Sequence, residues 1–215
     1  EVPAQYVTLN GTLHLRILAK DVPSVGYKVF EIRNGAGTGV FPNAVTVNGN
    51  ILENDFYRIT VSNTGAITSL IDKKRGNREF VRAIDGKTIN DLGGRQGTLT
   101  VEEMGAVSTT LKFISEDPLL HTTFITLLRN SNRIDIRNTI TQNFSDVLSW
   151  NYSFNINSPD IWHEEVGAVI RAKLLSNGGH YSPRNARYDW LTINHFADVS
   201  GGGVGVTLSN ADAYY

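Results

Sequence analysis

The segment His163-Glu164-Glu165 is the nearest approach to a metal motif in the sequence. A zinc-protease helix needs His-Glu-x-x-His, so that two imidazoles share one helical face. The second histidine is missing here, so the stretch is expected to be a solvated acidic loop entering a strand. His195 and Asp198 are three apart, which puts them on opposite faces of a regular strand and keeps them from sharing a metal. His14, His121 and His180 stand singly. Carboxylate pairs for glycoside hydrolysis can be far apart in sequence, and Asp55, Asp72, Asp85, Asp91 and Asp189 are all available. Glu102-Glu103 and Glu164-Glu165 are adjacent residues, and on strands such neighbours point to opposite faces. Gly201-Gly202-Gly203-Val204-Gly205 lacks the following helix that a phosphate loop needs, and is expected to be a hairpin turn. Asn10, Asn143 and Asn151 open N-glycosylation sequons. Tyr181, Tyr188 and Trp190 cluster with Arg184 and Arg187. Aromatic faces stack on sugar C–H surfaces, so these three are candidate carbohydrate contacts, with edge packing as the plainer alternative.

Composition limits what these residues serve. The chain has 215 residues, with 20 Lys+Arg against 21 Asp+Glu and no Cys. Its length fits one domain or two small ones and allows a real core. Near-zero net charge argues against an electrostatic nucleic-acid partner or a polybasic membrane surface. Without cysteine there are no disulfides, thiolate metal sites or cysteine nucleophiles. No apolar run approaches the length of a membrane span. The compartment stays open between cytoplasmic and secreted or periplasmic. Residue 1 is Glu and no signal-peptide pattern follows, so the chain is expected to be a processed product or an excised piece.

The elements that must position these residues repeat with a period of two. Tyr57, Ile59 and Val61 alternate with Arg58, Thr60 and Ser62, and Ile134 and Ile136 alternate with Asp135 and Arg137. Such alternation marks half-buried strands. Asn63-Thr64-Gly65 reads as a tight hairpin turn with Gly65 at positive φ. Asn130-Ser131-Asn132 joins strands near 119–129 and 133–143. Further strands are expected near 12–18, 26–33, 97–103, 106–114, 147–156, 166–174, 190–198 and 203–208. No amphipathic helix of ten residues or more is found. The predicted fold is all-β: an antiparallel β-sandwich with few or no helices. Gly35-Ala36-Gly37-Thr38-Gly39 is expected to be a flexible joint between leading strands at 1–39 and a β-sandwich domain at 40–215, the latter truncated at its C-terminal end.

Three ordered phrases resemble glycoside hydrolase family 38, the α-mannosidases. They are Asp21-Val22-Pro23-Ser24-Val25-Gly26-Tyr27-Lys28-Val29-Phe30, the stretch 51–74 with Leu52-Glu53-Asn54-Asp55-Phe56-Tyr57-Arg58 and Gly65-Ala66-Ile67-Thr68-Ser69-Leu70, and the pieces 166–171, 196–200 and 204–213. The chain departs from the family where a Trp is usual (Phe196-Ala197 here), where a Pro is usual (Ala172), and throughout 180–187. The resemblance implies a galactose mutarotase-like supersandwich from the C-terminal β half of such enzymes. It also implies that the parent hydrolyses α-mannosides with retention, using zinc or another divalent metal in an N-terminal catalytic barrel followed by a helical bundle. Those two regions would be the partners of this chain. No catalytic, metal or cofactor residue carries over, and the fragment alone is expected to be inactive. Asp212, in the matching run, joins Tyr181, Tyr188 and Trp190 as a candidate carbohydrate contact. The alternatives are an independent carbohydrate-binding module, or a mutarotase-like epimerase built on a converging His and Glu.

Overall fold

The computed structural model describes residues 1–9, 11–35, 37–184, 187 and 189–211. The chain is all-β, and every strand ladder is antiparallel. Among the described residues there is no α-helix, and no helix long and apolar enough to cross a membrane. Two compact units divide at Ser153/Phe154. The glycine-rich segment expected to be the joint lies inside the first unit, where the Glu1 carboxylate accepts the Thr38 N–H at 3.0 Å and also the Gly39 N–H.

The first unit opens with a hairpin of β1 (Ala4–Leu9) and β2 (Thr12–Ile17). A seven-stranded sheet follows from β3 (Thr46–Asn48), β4 (Ile51–Glu53), β5 (Tyr57–Val61), β6 (Ile67–Asp72), β7 (Arg78–Glu79) and β8 (Ile89–Asp91). Next come β9 (Thr98–Met104), β10 (Ser108–Ser115), β11 (His121–Leu128) and β12 (Ile134–Ile140), which form a four-stranded sheet in the order β12-β11-β10-β9. Strand β13 (Asn151–Tyr152) returns to pair with β8 in the larger sheet. Alternation decides which faces meet. On β11, His121, Thr123, Ile125 and Leu127 are buried, while Thr122, Phe124, Thr126 and Leu128 are only part-covered. Ile59, Val61 and Ile67 are buried on the larger sheet.

Among the contacts that join these sheets into an antiparallel β-sandwich, two set their alignment. The turn between β5 and β6 closes with Ser62 N–H on Ala66 C=O at 2.7 Å, and Gly65 sits at φ +81°. Phe113 of β10 is 1% exposed, and its ring occupies the space a side chain at position 65 would fill. The second contact is polar. Asn90 on β8 and Asn138 on β12 exchange amide hydrogen bonds at 3.2 and 2.7 Å. Thr123 Oγ1 donates to Asn138 at 2.7 Å, and Tyr152 Oη donates to Asn90 at 3.0 Å. A buried amide is tolerable only with its partners in place, so this network fixes one alignment of the two sheets.

The second unit is a four-stranded sheet, ordered β15-β14-β16-β17, of β14 (Asp160–Glu165), β15 (Ala168–Arg171), β16 (Phe196–Gly201) and β17 (Val204–Ser209). Gly202 and Gly203, at φ +59° and +79°, make the expected hairpin turn between β16 and β17.

Four strand expectations need correction. Residues 26–33 alternate like a strand but pair with nothing and form no ladder. Only Asn151–Tyr152 of the 147–156 run is a strand. The expected strand 190–198 begins instead at Phe196 and runs to Gly201. His163-Glu164-Glu165, expected to be an acidic loop, belong to the strand Asp160–Glu165. Alternation reports which residues suit a pleated surface, but a ladder also needs a neighbour with free backbone groups.

Gly65→Ala is expected to destabilise the chain by about 3 kcal/mol, because left-handed strain adds to overpacking against Phe113. Gly49 has φ +59° with nothing near its absent side chain, so Gly49→Ala should cost only about 1 kcal/mol. Urea unfolding of the two variants measures the difference.

Candidate functional site

Strand β14 carries the residues that chemistry first singled out. Its regular pairing puts Asp160, Trp162 and Glu164 on one face and Ile161, His163 and Glu165 on the other. The adjacent glutamates therefore do face apart. Glu164 meets His195 Nδ1 at 2.5 Å, whereas Glu165 accepts from the Tyr181 hydroxyl at 2.6 Å.

On the first face, Arg171 is the organiser. Its guanidinium lies over the Trp162 ring at 5.9 Å and donates to Asp160 at 2.5 Å and to the Gly178 carbonyl at 2.8 Å. Lys173 also pairs with Asp160. Hydrogen bonds from Arg171, and then from Lys173, hold the Asp160 carboxyl below its ordinary range. His180 Nδ1 accepts the Arg171 N–H at 2.9 Å, and its ring meets Trp162 edge-on at 5.9 Å. The aromatic surface and the carboxylate are thus engaged from within the unit. The cluster clamps the loop 172–181 onto the strand.

The other face holds a hydrogen-bonded chain with a buried histidine at one end. His163 is 1% exposed, which corrects the expectation of a solvated acidic loop: the imidazole is an inward-facing strand position, not a loop residue. Its Nε2 lies 2.8 Å from the Tyr181 hydroxyl, and the two rings stack at 6.1 Å. Because the tyrosine proton goes to Glu165, Nε2–H of His163 is the donor to the tyrosine oxygen. Nδ1 of His163 is buried without a hydrogen-bond partner. Burial, reinforced by the Glu165 carboxylate, pushes the Tyr181 hydroxyl up to about 12.

Of the four expected carbohydrate contacts, two, Tyr181 and Trp190, fall among the described residues. Tyr181 spends its hydroxyl on His163 and Glu165. Trp190 is 71% exposed and makes no ring contact with Tyr181. Tyr188 and Asp212 lie outside the described residues. Among the described residues, no group of three or more His, Cys, Asp and Glu side chains is placed to hold a metal ion. Of the glycosylation sequons, Asn10 lies outside the described residues, Asn143 is exposed, and the Asn151 amide donates to the Asp91 carbonyl at 3.0 Å.

The first unit holds a feature that the sequence did not announce. A groove of about 420 Å³ lies between the β1–β2 hairpin and the outer face of the β9–β12 sheet. Register builds its floor. Glu103, Thr110, Thr126 and Asp135 stand in one cross-strand row, and Thr100, Lys112, Phe124 and Arg137 in the next. A bulge opposite Thr110/Leu111 inserts Glu102 between Val101 and Glu103. Adjacent strand residues ordinarily face apart, but the extra residue turns both carboxylates toward the same groove. This corrects the expectation for Glu102-Glu103. A bulge is a property of the pairing, and nothing in one strand's own sequence shows it.

No protein-family model matches this chain, and no curated protein matches it.

Tyr181 is expected to ionise well above the ordinary tyrosine value of 10, near pH 12, in an ultraviolet tyrosinate titration. Its folded pKa is raised, so its contribution to stability is complete below pH 10 and is lost as the pH climbs to about 12. Glu165→Gln keeps an acceptor but removes the negative charge. It should move the Tyr181 transition back toward 10.

Proposed function

We propose that this chain is the non-catalytic β region of an α-mannosidase-like glycoside hydrolase, and that it docks against the catalytic barrel and helical bundle of the same polypeptide and shapes the rim of the substrate cleft. The observation that carries this reading is the concentration of uncovered apolar side chains near the start of the first unit. Val25, Tyr27, Val29 and Ile32 are 94%, 84%, 77% and 79% exposed on an alternating segment without a ladder partner. Tyr6 and Leu13, at 71% and 65%, are also exposed on the β1–β2 hairpin. Clustered exposed apolar side chains mark an interaction site. A strand-like segment with unpaired backbone groups is suited to a neighbouring chain segment.

The family resemblance supplies the identity of the partner, because one of its phrases runs through this uncovered segment. The β5–β6 hairpin, strand β15 and the β16–β17 hairpin carry the others. On this reading the metal, zinc or another divalent ion, belongs to the partner domains, and the α-mannoside is met by the assembled enzyme. An independent carbohydrate-binding module built on Tyr181, Tyr188 and Trp190 gains less support, since the Tyr181 hydroxyl is engaged internally. An epimerase gains less as well. His163 and Glu165 do converge through Tyr181, but the imidazole is closed off from a sugar.

The isolated chain, incubated with an aryl α-mannoside and zinc, is expected to give no turnover above the zinc-only blank. Turnover that a chelator abolishes would contradict the reading.

A further inference from the structure

We propose that the groove between the β1–β2 hairpin and the β9–β12 sheet binds a neutral, polyhydroxylated ligand of one or two sugar rings. The groove lining shares no residue with the docking surface. Three carboxylates, Glu102, Glu103 and Asp135, face two guanidiniums, Arg16 and Arg137, across a floor that carries the Thr110 and Thr126 hydroxyls. With Lys112 on Glu102 and Arg133 on Asp135, the opposed charges nearly cancel, so neither an anion nor a cation gains much from the net field. What the groove offers is ionised acceptors and donors together with hydroxyls on one short surface. A sugar hydroxyl donates and accepts at once, so a ring bearing several of them can meet both kinds of partner. Hydrogen bonds to ionised partners are the strong ones.

The groove is also preorganised. Glu103 uses one oxygen to accept the Thr8 N–H at 2.8 Å, which leaves the other oxygen's lone pairs for a ligand. Lys112 holds Glu102 at 3.3 Å. The Arg137 guanidinium lies 4.4 Å from the centre of the Phe124 ring, which fixes its plane. The hairpin wall is pinned as well. Gln5 Oε1 accepts the Val107 and Ser108 N–H groups at 2.7 and 2.8 Å, and Arg16 donates to Ser108 Oγ at 2.6 Å. Less freedom is therefore lost when a ligand enters. The groove is half open to solvent, with about 420 Å³ of space over its floor.

The test is an amide-shift titration by nuclear magnetic resonance at millimolar probe. Methyl α-mannoside, maltose and cellobiose are the neutral probes, glucosamine the cationic one and glucuronate the anionic one. Saturable shifts at Thr110, Phe124, Thr126 and Asp135 are expected with at least one neutral probe. Glu103→Gln keeps an acceptor for Thr8, and Thr126→Val keeps the shape; each should weaken that binding by about tenfold. Unchanged unfolding midpoints would show that both variants fold. The proposal is overturned if no neutral probe shifts the groove, if shifts persist undiminished in both variants, or if only glucosamine or only glucuronate binds. Any of these outcomes leaves the docking surface standing, because that surface contributes no residue to the groove.

Discussion

The two large sheets of the first unit can meet because position 65 has no side chain. A Cβ there would lie 2.4 Å from the Phe113 ring, and one at Gly97 would lie 2.7 Å from the same ring. Phe113 therefore enters a slot made by two glycines, one in the β5–β6 turn and one just before β9. The Gly97 N–H also reaches the Asn63 carbonyl at 2.9 Å. Once this contact is made, the inner faces of β10 and β11 are committed to the core. The Asn90–Asn138 amide pair then admits one register only. The outer face of the smaller sheet is left to carry polar rows, and the groove follows from that division of faces.

The second unit shows the same logic on a smaller scale. Strand β14 divides its chemistry between two faces, and both sets of groups turn inward on the unit itself. Arg171 and Lys173 take up Asp160, and Tyr181 links His163 to Glu165. Two consecutive residues, His180 and Tyr181, reach opposite sides of the strand and bind the loop 172–181 to it. Perturbed ionisation often marks a catalytic centre. Here the low Asp160 carboxyl and the high Tyr181 hydroxyl follow from ion pairing and burial that hold a loop in place.

The sequence made some of this legible and hid the rest for physical reasons. The all-β class, the β5–β6 turn with Gly65 at positive φ and the Gly202-Gly203 turn are local. Alternation and turn residues report them directly. The fate of residues 26–33 depends on whether a partner strand exists, which no local pattern records. His163 was misplaced because adjacent acidic residues look solvated until a tyrosine eighteen positions away supplies a partner. The groove was invisible because it depends on one bulge that sets Glu102 beside Glu103, and on a hairpin about a hundred residues earlier in the chain that forms the far wall. Of the four candidate carbohydrate contacts, Tyr181 and Trp190 are described: the Tyr181 hydroxyl is engaged by His163 and Glu165, and Trp190 is exposed.

On the proposed reading, the uncovered segment at 25–32 is a docking edge for the rest of a larger polypeptide. Hydrogen exchange at these amides tests it most directly, comparing the chain alone with the polypeptide extended by its upstream reading frame. The account predicts fast exchange in the chain alone and strong protection of alternate amides in the extended protein. Equally fast exchange in both would contradict it.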